Sequence, residues 1–123
     1  MMYLMIGTRP DLAQPLDVLS QYLQNHGRTH WEAAPRAIAY LRATSTISLR
    51  HRGEVPGTVP SVVGMCDASF VVHEDCASQS GFYFTLCGAV ISWKSNKIRK
   101  IVLSSTEAEY VAASDASRQA EYH

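Results

Sequence analysis

The sequence lacks several features that would assign a protein to a functional class directly. Its 11 basic and 11 acidic side chains give a formal net charge of zero, so no overall field would draw the chain to nucleic acid or to an anionic membrane. Its three cysteines are odd in number and form no Cys-x-x-Cys pair, which argues against a structural zinc site. A reduced, intracellular setting is the simplest interpretation of that cysteine usage.

Long hydrophobic runs are also missing. The N-terminal segment has neither the charged part nor the apolar part of a secretory signal peptide. The longest uncharged stretch, Cys76–Trp93, is interrupted by serine, glutamine and glycine and is too short and too polar to span a bilayer, so we expect no membrane partner. With 123 residues, 46% of them hydrophobic, the chain fits one ordinary domain or two pieces that are each small for independent folding.

The first half of the sequence has helical periodicity. Leucines recur at helical spacing and form one apolar stripe: Leu12, Leu16, Leu19 and Leu23. Pro10 suits the first turn of this helix and Gly27 suits its end. Pro15 lies beyond the first helical position, and therefore predicts a late start or a kink.

A second helix is expected to begin at Thr29, where Glu32 would complete a capping box. Pro35 again predicts a late start or a kink. A short strand is expected over Ile47–His51. The glycines and prolines that follow indicate a linker over residues 53–60, which divides the chain into segments 1–52 and 61–123.

The second half changes to strand periodicity. SVVGMCDASF is an apolar run that contains an acid, while GFYFTL and AVISW are β-rich runs joined across Cys87-Gly88, which predicts a hairpin. The segment from Ser104 onward is helical, with a capping box formed by Ser104 and Glu107 and small residues that suit packing on a sheet. The predicted fold class is therefore mixed α/β (α+β), with a strand, a hairpin and a helix after an N-terminal helical segment.

Two acids in this half are candidates for metal chemistry. Asp67 closes an apolar run and Glu109 lies in the first turns of the last helix, so a strand carboxylate and a helix carboxylate could meet over one spot. Metal-dependent phosphodiester cleavage uses such carboxylates to hold Mg²⁺. From the residues alone the signal is weak, because an aspartate at a strand end is more often a turn or cap residue and a helical glutamate is more often solvated.

Three segments resemble the copia-type retrotransposon Pol polyprotein, at the end of its reverse transcriptase and the beginning of its RNase H domain. They are YLMIGTRPDLA at Tyr3–Ala13, HWEAAPRAIAYLRAT at His30–Thr44, and ISWKSNK followed by VLSSTEAEYVAAS within Ile91–Ser114. The resemblance extends from Tyr3 to about Ala120. It implies the first part of an RNase H-like fold, with three antiparallel strands and a helix, and it disfavours an unrelated small α/β binding module.

The resemblance also implies roles for single residues. Cys66-Asp67-Ala68-Ser69 matches the family's Ser-Asp-Ala-Asp strand, and Glu109 matches the second acid of its Thr-Glu-Ala-Glu-Tyr helix. Asp67 and Glu109 would then be the catalytic acids and the ligands of Mg²⁺. The implied reaction is cleavage of the RNA strand of an RNA–DNA hybrid with water as the nucleophile. Glu107 would be a capping residue.

The sequence matches only some of the catalytic acids of the family. The family's third carboxylate lies in an Asp-Asn motif on a strand after this helix, and the sequence reaches His123 without it. Asp115 is not a substitute, because it lies about 240° around the helix from Glu109 at 3.6 residues per turn. We expect negligible cleavage by this chain alone. The alternative is a non-catalytic remnant that at most binds nucleic acid or packs against a missing domain.

A short basic run follows the second strand of the predicted hairpin. Its candidate nucleic-acid-binding residues are Trp93, Lys94, Lys97, Arg99 and Lys100. They could contact phosphates of the hybrid, or they could be solvated lysines that protect a strand edge. The remainder of the Pol polyprotein is the other expected partner, and the resemblance implies an intracellular location, in cytoplasmic virus-like particles or in the nucleus.

Two further interpretations complete the sequence analysis. Cys66, next to Asp67, is expected to be a buried small hydrophobic residue. His73, beside Glu74 and Asp75, could belong to a metal or acid–base site, but a loop histidine near acids is more often solvated.

Overall fold

The computed structural model describes residues 1–53, 59–71, 77–98 and 100–122. The chain divides into two compact units, residues 1–49 and residues 50–123. Most of the predicted linker, residues 54–58, lies outside the described residues, so the predicted boundary stays a prediction. In the four described ranges, no helix combines the length and the hydropathy that crossing a membrane requires.

The first unit is helical. Its α-helices are α1 (Met2–Gly7), α2 (Ala13–Gln21) and α3 (Arg28–Ala43), and a 3₁₀ turn over Pro10–Leu12 precedes α2. The late start predicted for the leucine-rich helix is confirmed. Pro15 is the third residue of α2, where a backbone N–H has no intrahelical acceptor, so the proline costs no hydrogen bond.

Two local predictions for the first unit are wrong. Helix α3 begins at Arg28 after Gly27, without a side-chain cap. Thr29 therefore lies inside the helix, and Glu32 pairs with Arg28 at 3.0 Å instead of capping. The expected strand over Ile47–His51 is absent from the described residues, which show a turn and then irregular backbone. Helix α3 therefore begins earlier than Pro35 led us to expect, and it continues past Pro35 to Ala43.

A polar cluster ties the 3₁₀ turn to the end of α3. The Arg9 guanidinium donates to both Asp11 carboxylate oxygens, at 3.0 and 2.7 Å. It also donates to the backbone oxygen of Thr44 at 3.1 Å and to the Thr44 hydroxyl at 2.6 Å. The Tyr40 hydroxyl donates to Asp11 at 2.8 Å. Arg9 is only 6% exposed, so the cluster satisfies a buried charge.

The second unit is a three-stranded antiparallel sheet with one helix. Its elements are β1 (Val63–Ser69), β2 (Gln79–Leu86), β3 (Ala89–Lys97) and α4 (Ser105–Ala120), with strand order β1-β2-β3. The hairpin turn is at Cys87-Gly88 as predicted, and both residues have positive φ, 50° and 77°. That pair of values matches the right-handed twist of the flanking strands. The predicted mixed α/β fold is confirmed.

The core of this unit lies between the sheet and α4. Phe82 and Phe84 project from one face of β2, make an edge-to-face contact at 5.7 Å between ring centroids, and pack with Ala116. Helix α4 buries a stripe of small residues at four-residue spacing: Ala108, Ala112 and Ala116. Small side chains on that stripe let the helix backbone approach the two phenylalanine rings closely.

The start of α4 follows the predicted capping pattern. The Ser104 hydroxyl accepts a hydrogen bond from the Glu107 backbone N–H at 3.1 Å. The Glu107 carboxylate in turn accepts from the Leu103 backbone N–H at 2.7 Å. Glu107 is therefore a capping residue. The cap fixes the start of α4 and with it the position of Glu109 beside β1.

Candidate functional site

Asp67 lies within β1, opposite Gly81 of β2. The strand continues for two residues beyond it, so Asp67 is close to the strand end but is not its last residue. Its side chain is exposed. In the strand order, β1 is an outer strand whose described neighbour is β2, which leaves the Asp67 region of the outer edge open among the described residues.

The register assigns the side chains of β1 to two faces. Cys66 is opposite Phe82, whereas Asp67 follows it by one residue and belongs to the other face. That other face also carries Met65, whose sulfur accepts a hydrogen bond from the Tyr83 hydroxyl at 2.8 Å. Cys66 is exposed, so the expectation that it is buried is wrong. The physical reason is that β1 is an outer strand, with β2 as its described neighbour on one side and no described strand on the other.

Glu109 belongs to one flank of α4. Four residues of this flank follow the spacing i, i+3, i+4 and i+7, which places them on the same side of a helix: Thr106, Glu109, Tyr110 and Ala113. Glu109 is one residue after Ala108 of the buried stripe, which corresponds to about 100° around the helix. Its carboxylate is therefore beside the helix–sheet contact and is exposed.

This flank and the β1 edge enclose one cavity of about 490 Å³. Cys66 and Asp67 line it from β1, and the four flank residues line it from α4. Asp67 and Glu109, which come from separate motifs, thus border one cavity. Glu109 borders it from α4, whereas Asp67, whose position in the register belongs to the opposite sheet face, borders it at the outer edge of β1. Sequence reasoning missed the other lining residues, although helical spacing from Glu109 would have identified Thr106 and Ala113.

The donor chemistry of the cavity suits a hard divalent cation. Asp67 and Glu109 supply carboxylate oxygens, which Mg²⁺ prefers, and Mg²⁺ retains several waters in most of its protein sites. Within the described ranges, no group of three or more His, Cys, Asp or Glu side chains is arranged to hold a metal ion. The cavity therefore offers two carboxylates as ligands. The other coordination sites of a bound ion would be filled by water or by groups that do not belong to this cavity.

Asp115 takes no part in the cavity. It is absent from the residues that line it, and its carboxylate forms an ion pair with Arg118 one turn further along α4. The helical geometry that separates Asp115 from Glu109 is thus observed. The candidate loop residues His73, Glu74 and Asp75 lie outside the described residues.

The basic run does not form one patch. Lys94 is opposite Phe82 and belongs to the face that α4 packs on, whereas Trp93, opposite Tyr83, and Lys97, opposite Gln79, belong to the other face. Lys100 follows the strand and is exposed, and Arg99 lies outside the described residues. Trp93 and Lys97 therefore share a sheet face with Asp67, and Lys94 does not.

A strand carboxylate and a helix carboxylate beside an antiparallel sheet are consistent with a partial RNase H-like fold. The chain is 44% identical over 120 residues to a secreted RxLR effector protein 161 of Plasmopara viticola, across 97% of this chain and 82% of that protein. It is 38% identical over 120 residues to the retrovirus-related Pol polyprotein from transposon TNT 1-94 of Nicotiana tabacum, and 33% identical over 116 residues to that from transposon RE2 of Arabidopsis thaliana. The chain belongs to the copia-type retrotransposon Pol polyprotein family.

The extent of these matches differs greatly between relatives. The chain spans 9% of the tobacco polyprotein and 8% of the Arabidopsis polyprotein, while the two alignments include 97% and 94% of the chain itself. No family model matches the sequence, and no solved structure matches it significantly. The matched segment is therefore a small part of the polyproteins, and the activities of the whole polyproteins do not transfer with it automatically.

Proposed function

We propose that the second unit is the opening part of an RNase H-like nuclease domain whose substrate is the RNA strand of an RNA–DNA hybrid. The observation that carries this proposal is the shared cavity of Asp67 and Glu109. The two acids come from β1 and α4 and are 42 positions apart in the sequence, yet both line the same open edge of the sheet.

In this proposal Asp67 and Glu109 hold the catalytic Mg²⁺. When bound, Mg²⁺ would lower the pKa of a coordinated water and stabilise charge on the scissile phosphate. The contribution of the chain is positional. β1 pairs with β2, and Phe82 and Phe84 of β2 pack with Ala116 of α4, so both carboxylates are presented from elements of one packed unit. Trp93 and Lys97 would meet the backbone of the hybrid on the face shared with Asp67, through salt-dependent contacts.

We further propose that the 123-residue chain binds hybrid but cleaves it negligibly by itself. Two protein carboxylates hold Mg²⁺ weakly, because this ion dehydrates reluctantly and demands near-octahedral geometry. Efficient cleavage would need further ligands from the remainder of the polyprotein. The alternative, a remnant without any metal-dependent interaction, predicts that Asp67 and Glu109 have no influence on either metal or hybrid binding.

Metal binding is tested directly with Mn²⁺ as a paramagnetic probe in amide NMR spectra of the full chain. We expect selective broadening of the amides around Asp67 and Glu109, reversed by excess Mg²⁺. In Asp67→Asn and Glu109→Gln the apparent affinity should fall about tenfold, which corresponds to about 1.4 kcal/mol. Asp115→Asn is the matched control, because this α4 carboxylate lies outside the cavity, and it should leave the broadening unchanged.

Hybrid binding and cleavage are measured on the same proteins with labelled RNA–DNA hybrid and Mg²⁺. Wild type should shift the anisotropy of the hybrid without producing cleaved RNA. Clear cleavage that disappears in Asp67→Asn would contradict the proposed inactivity while supporting the nuclease site. Broadening by Mn²⁺ that is identical in wild type and both cavity variants would overturn the metal site itself.

The relative from Plasmopara viticola does not add a second candidate function. The name of that protein describes a secreted RxLR effector, and no observation on the described residues of this chain points to such an activity. We propose no effector activity for this chain.

A further inference from the structure

The cavity contains an aromatic residue that the proposed metal chemistry does not use. We propose that Tyr110 is the residue by which this site recognises ribose, through a contact between its phenol and the 2′-hydroxyl of the RNA strand. The inference rests on the proposed function, since it assigns a substrate contact to the same cavity. It concerns recognition of the sugar and leaves the cleavage chemistry to Asp67 and Glu109.

The position of Tyr110 supports a contact with a ligand. It follows Glu109 directly in α4 and lines the same cavity as both carboxylates, yet the residue is 75% exposed. The other tyrosine of this unit that touches β1, Tyr83, already donates its hydroxyl to Met65. Among the described residues none forms a hydrogen bond with the Tyr110 hydroxyl, so this hydroxyl is able to donate to and accept from a ligand.

The chemistry of a phenol matches that of a ribose. A tyrosine hydroxyl both donates and accepts a hydrogen bond, as a 2′-hydroxyl does. The wide minor groove of an A-form helix displays its 2′-hydroxyls, and these groups allow a protein to distinguish RNA from DNA. The ring adds apolar contact with the sugar. Because bases inside a duplex are stacked, the sugar edge is the part of the RNA strand that an exposed tyrosine reaches most directly.

A neighbour in the cavity strengthens this assignment. Thr106 lies one helical turn before Tyr110 on the same flank of α4 and also lines the cavity. Its side chain adds a second hydroxyl to a wall that otherwise consists of the carboxylates, the Cys66 thiol and the Ala113 methyl group. The wall therefore separates into acidic groups suited to a cation and hydroxyl groups suited to a neutral sugar.

The experiment compares two duplexes of one sequence, an RNA–DNA hybrid and the corresponding DNA duplex, by fluorescence anisotropy with the full 123-residue chain. Wild type should bind the hybrid more tightly. Tyr110→Phe should reduce the ratio of the two affinities about fivefold, the effect expected for loss of one neutral hydrogen bond. Tyr110→Ala should also weaken binding to both duplexes, because the ring contact is lost.

Tyr122→Phe is the matched control. Tyr122 is 81% exposed and follows the end of α4, away from the residues that line the cavity, so its substitution should leave the affinity ratio unchanged. Tyr110→Phe keeps the ring of an exposed residue, and equal thermal unfolding of the variants by circular dichroism would establish that they are folded.

The outcomes separate the two proposals. If wild type binds the hybrid more tightly than DNA and Tyr110→Phe keeps the full ratio, the ribose contact is wrong while the proposed function stands. If wild type binds both duplexes equally, the ribose contact is likewise overturned. If wild type binds no hybrid at all, the proposed function fails and the ribose contact fails with it.

Discussion

The two units of this chain stabilise their folds by different means. In the helical unit, the buried side chains are Leu12 and Leu16 together with a charged residue, Arg9, which forms an ion pair with Asp11. In the sheet unit, the main cluster of buried side chains is apolar, with Phe82 and Phe84 packed with Ala116 of α4, although Ser78 and Ser80 are buried as well. A polar cluster around Arg9 therefore contributes to the stability of the helical unit, whereas packing of apolar side chains stabilises the sheet unit.

The chain contains a natural probe for each unit. Its two tryptophans are Trp31, in α3, and Trp93, in β3. Trp31→Phe leaves a fluorescence signal from the sheet unit, and Trp93→Phe leaves one from the helical unit. Unfolding in urea can therefore be followed separately in each unit, which allows a substitution in one to be checked for its effect on the other.

The largest expected effect in this comparison is at Gly64 of β1. A Cβ at this position would lie 2.5 Å from Cε1 and 2.9 Å from Cδ1 of the buried Phe84 ring. Gly64→Ala should therefore lower the unfolding free energy of the sheet unit by about 1–3 kcal/mol, as for other overpacked cores. The measurement is urea unfolding monitored by Trp93, and the Trp31 signal should not change.

Two further variants test the cause of that loss. In a Phe84→Leu background the ring is absent, so the added methyl group should cost less, and a double-mutant cycle should give a non-zero interaction energy. Gly53→Ala is the control, because a Cβ there meets no atom of the described residues within 4 Å. If Gly64→Ala lowers the unfolding free energy equally with and without the Phe84 ring, then contact with that ring is not the source of the loss.

Two predictions from local signals are confirmed and a third, the capping box of Thr29 and Glu32, is wrong, whereas predictions that depend on distant residues failed. The hairpin turn at Cys87-Gly88 and the capping box of Ser104 and Glu107 depend on a few neighbouring residues, and both were predicted. The strand expected from Ile47 was wrong, because a strand needs a partner and the structure describes none beside it. Periodicity also gave no sign that Arg9 would be buried, since its acceptors on Thr44 are 35 residues away.

The candidate site divides in the same way. Asp67 and Glu109 were predicted to meet from a strand and a helix, and the structure places both on one cavity. The basic run was predicted as one group, but strand alternation separates Lys94 from Trp93 and Lys97. Cys66 was expected to be buried because cysteine often behaves as a small hydrophobic residue, whereas exposure of the outer strand edge depends on which elements flank β1. Such information is absent from a local pattern.

A smaller effect is expected at the cap of α4. Ser104→Ala removes the hydroxyl that accepts from the Glu107 backbone N–H, and should lower the unfolding free energy of the sheet unit by about 1 kcal/mol. Urea unfolding of the Trp31→Phe protein measures this loss. Ser117→Ala is the matched control, because this exposed serine donates to the Ala113 carbonyl within the same helix, and its removal should change stability by less than about 0.5 kcal/mol. Equal losses in both variants would contradict a specific role for the cap.

The smallest expected effect is a dependence on pH that belongs to the helical unit. Hydrogen bonds from Arg9, and to a lesser extent from Tyr40, lower the pKa of Asp11 below its ordinary value of 3.8. A lowered pKa in the folded state means that the unfolded state binds a proton first as the pH falls. The stabilisation from the Arg9–Asp11 pair is therefore complete above the ordinary pKa and is lost as the pH falls through the lowered one.

Acid titration of unfolding, read from Trp31 in the Trp93→Phe protein, measures this effect. Just below pH 4, the unfolding free energy should rise more steeply with pH in wild type than in Asp11→Asn, because the unfolded state then binds the Asp11 proton more readily than the folded state. Tyr40→Phe removes one donor to Asp11 but keeps Arg9, so the acid step should remain and move towards the ordinary pKa. An acid slope that is the same with and without the Asp11 carboxylate would show that the polar cluster does not stabilise the helical unit, and the contrast with the apolar sheet unit would then disappear.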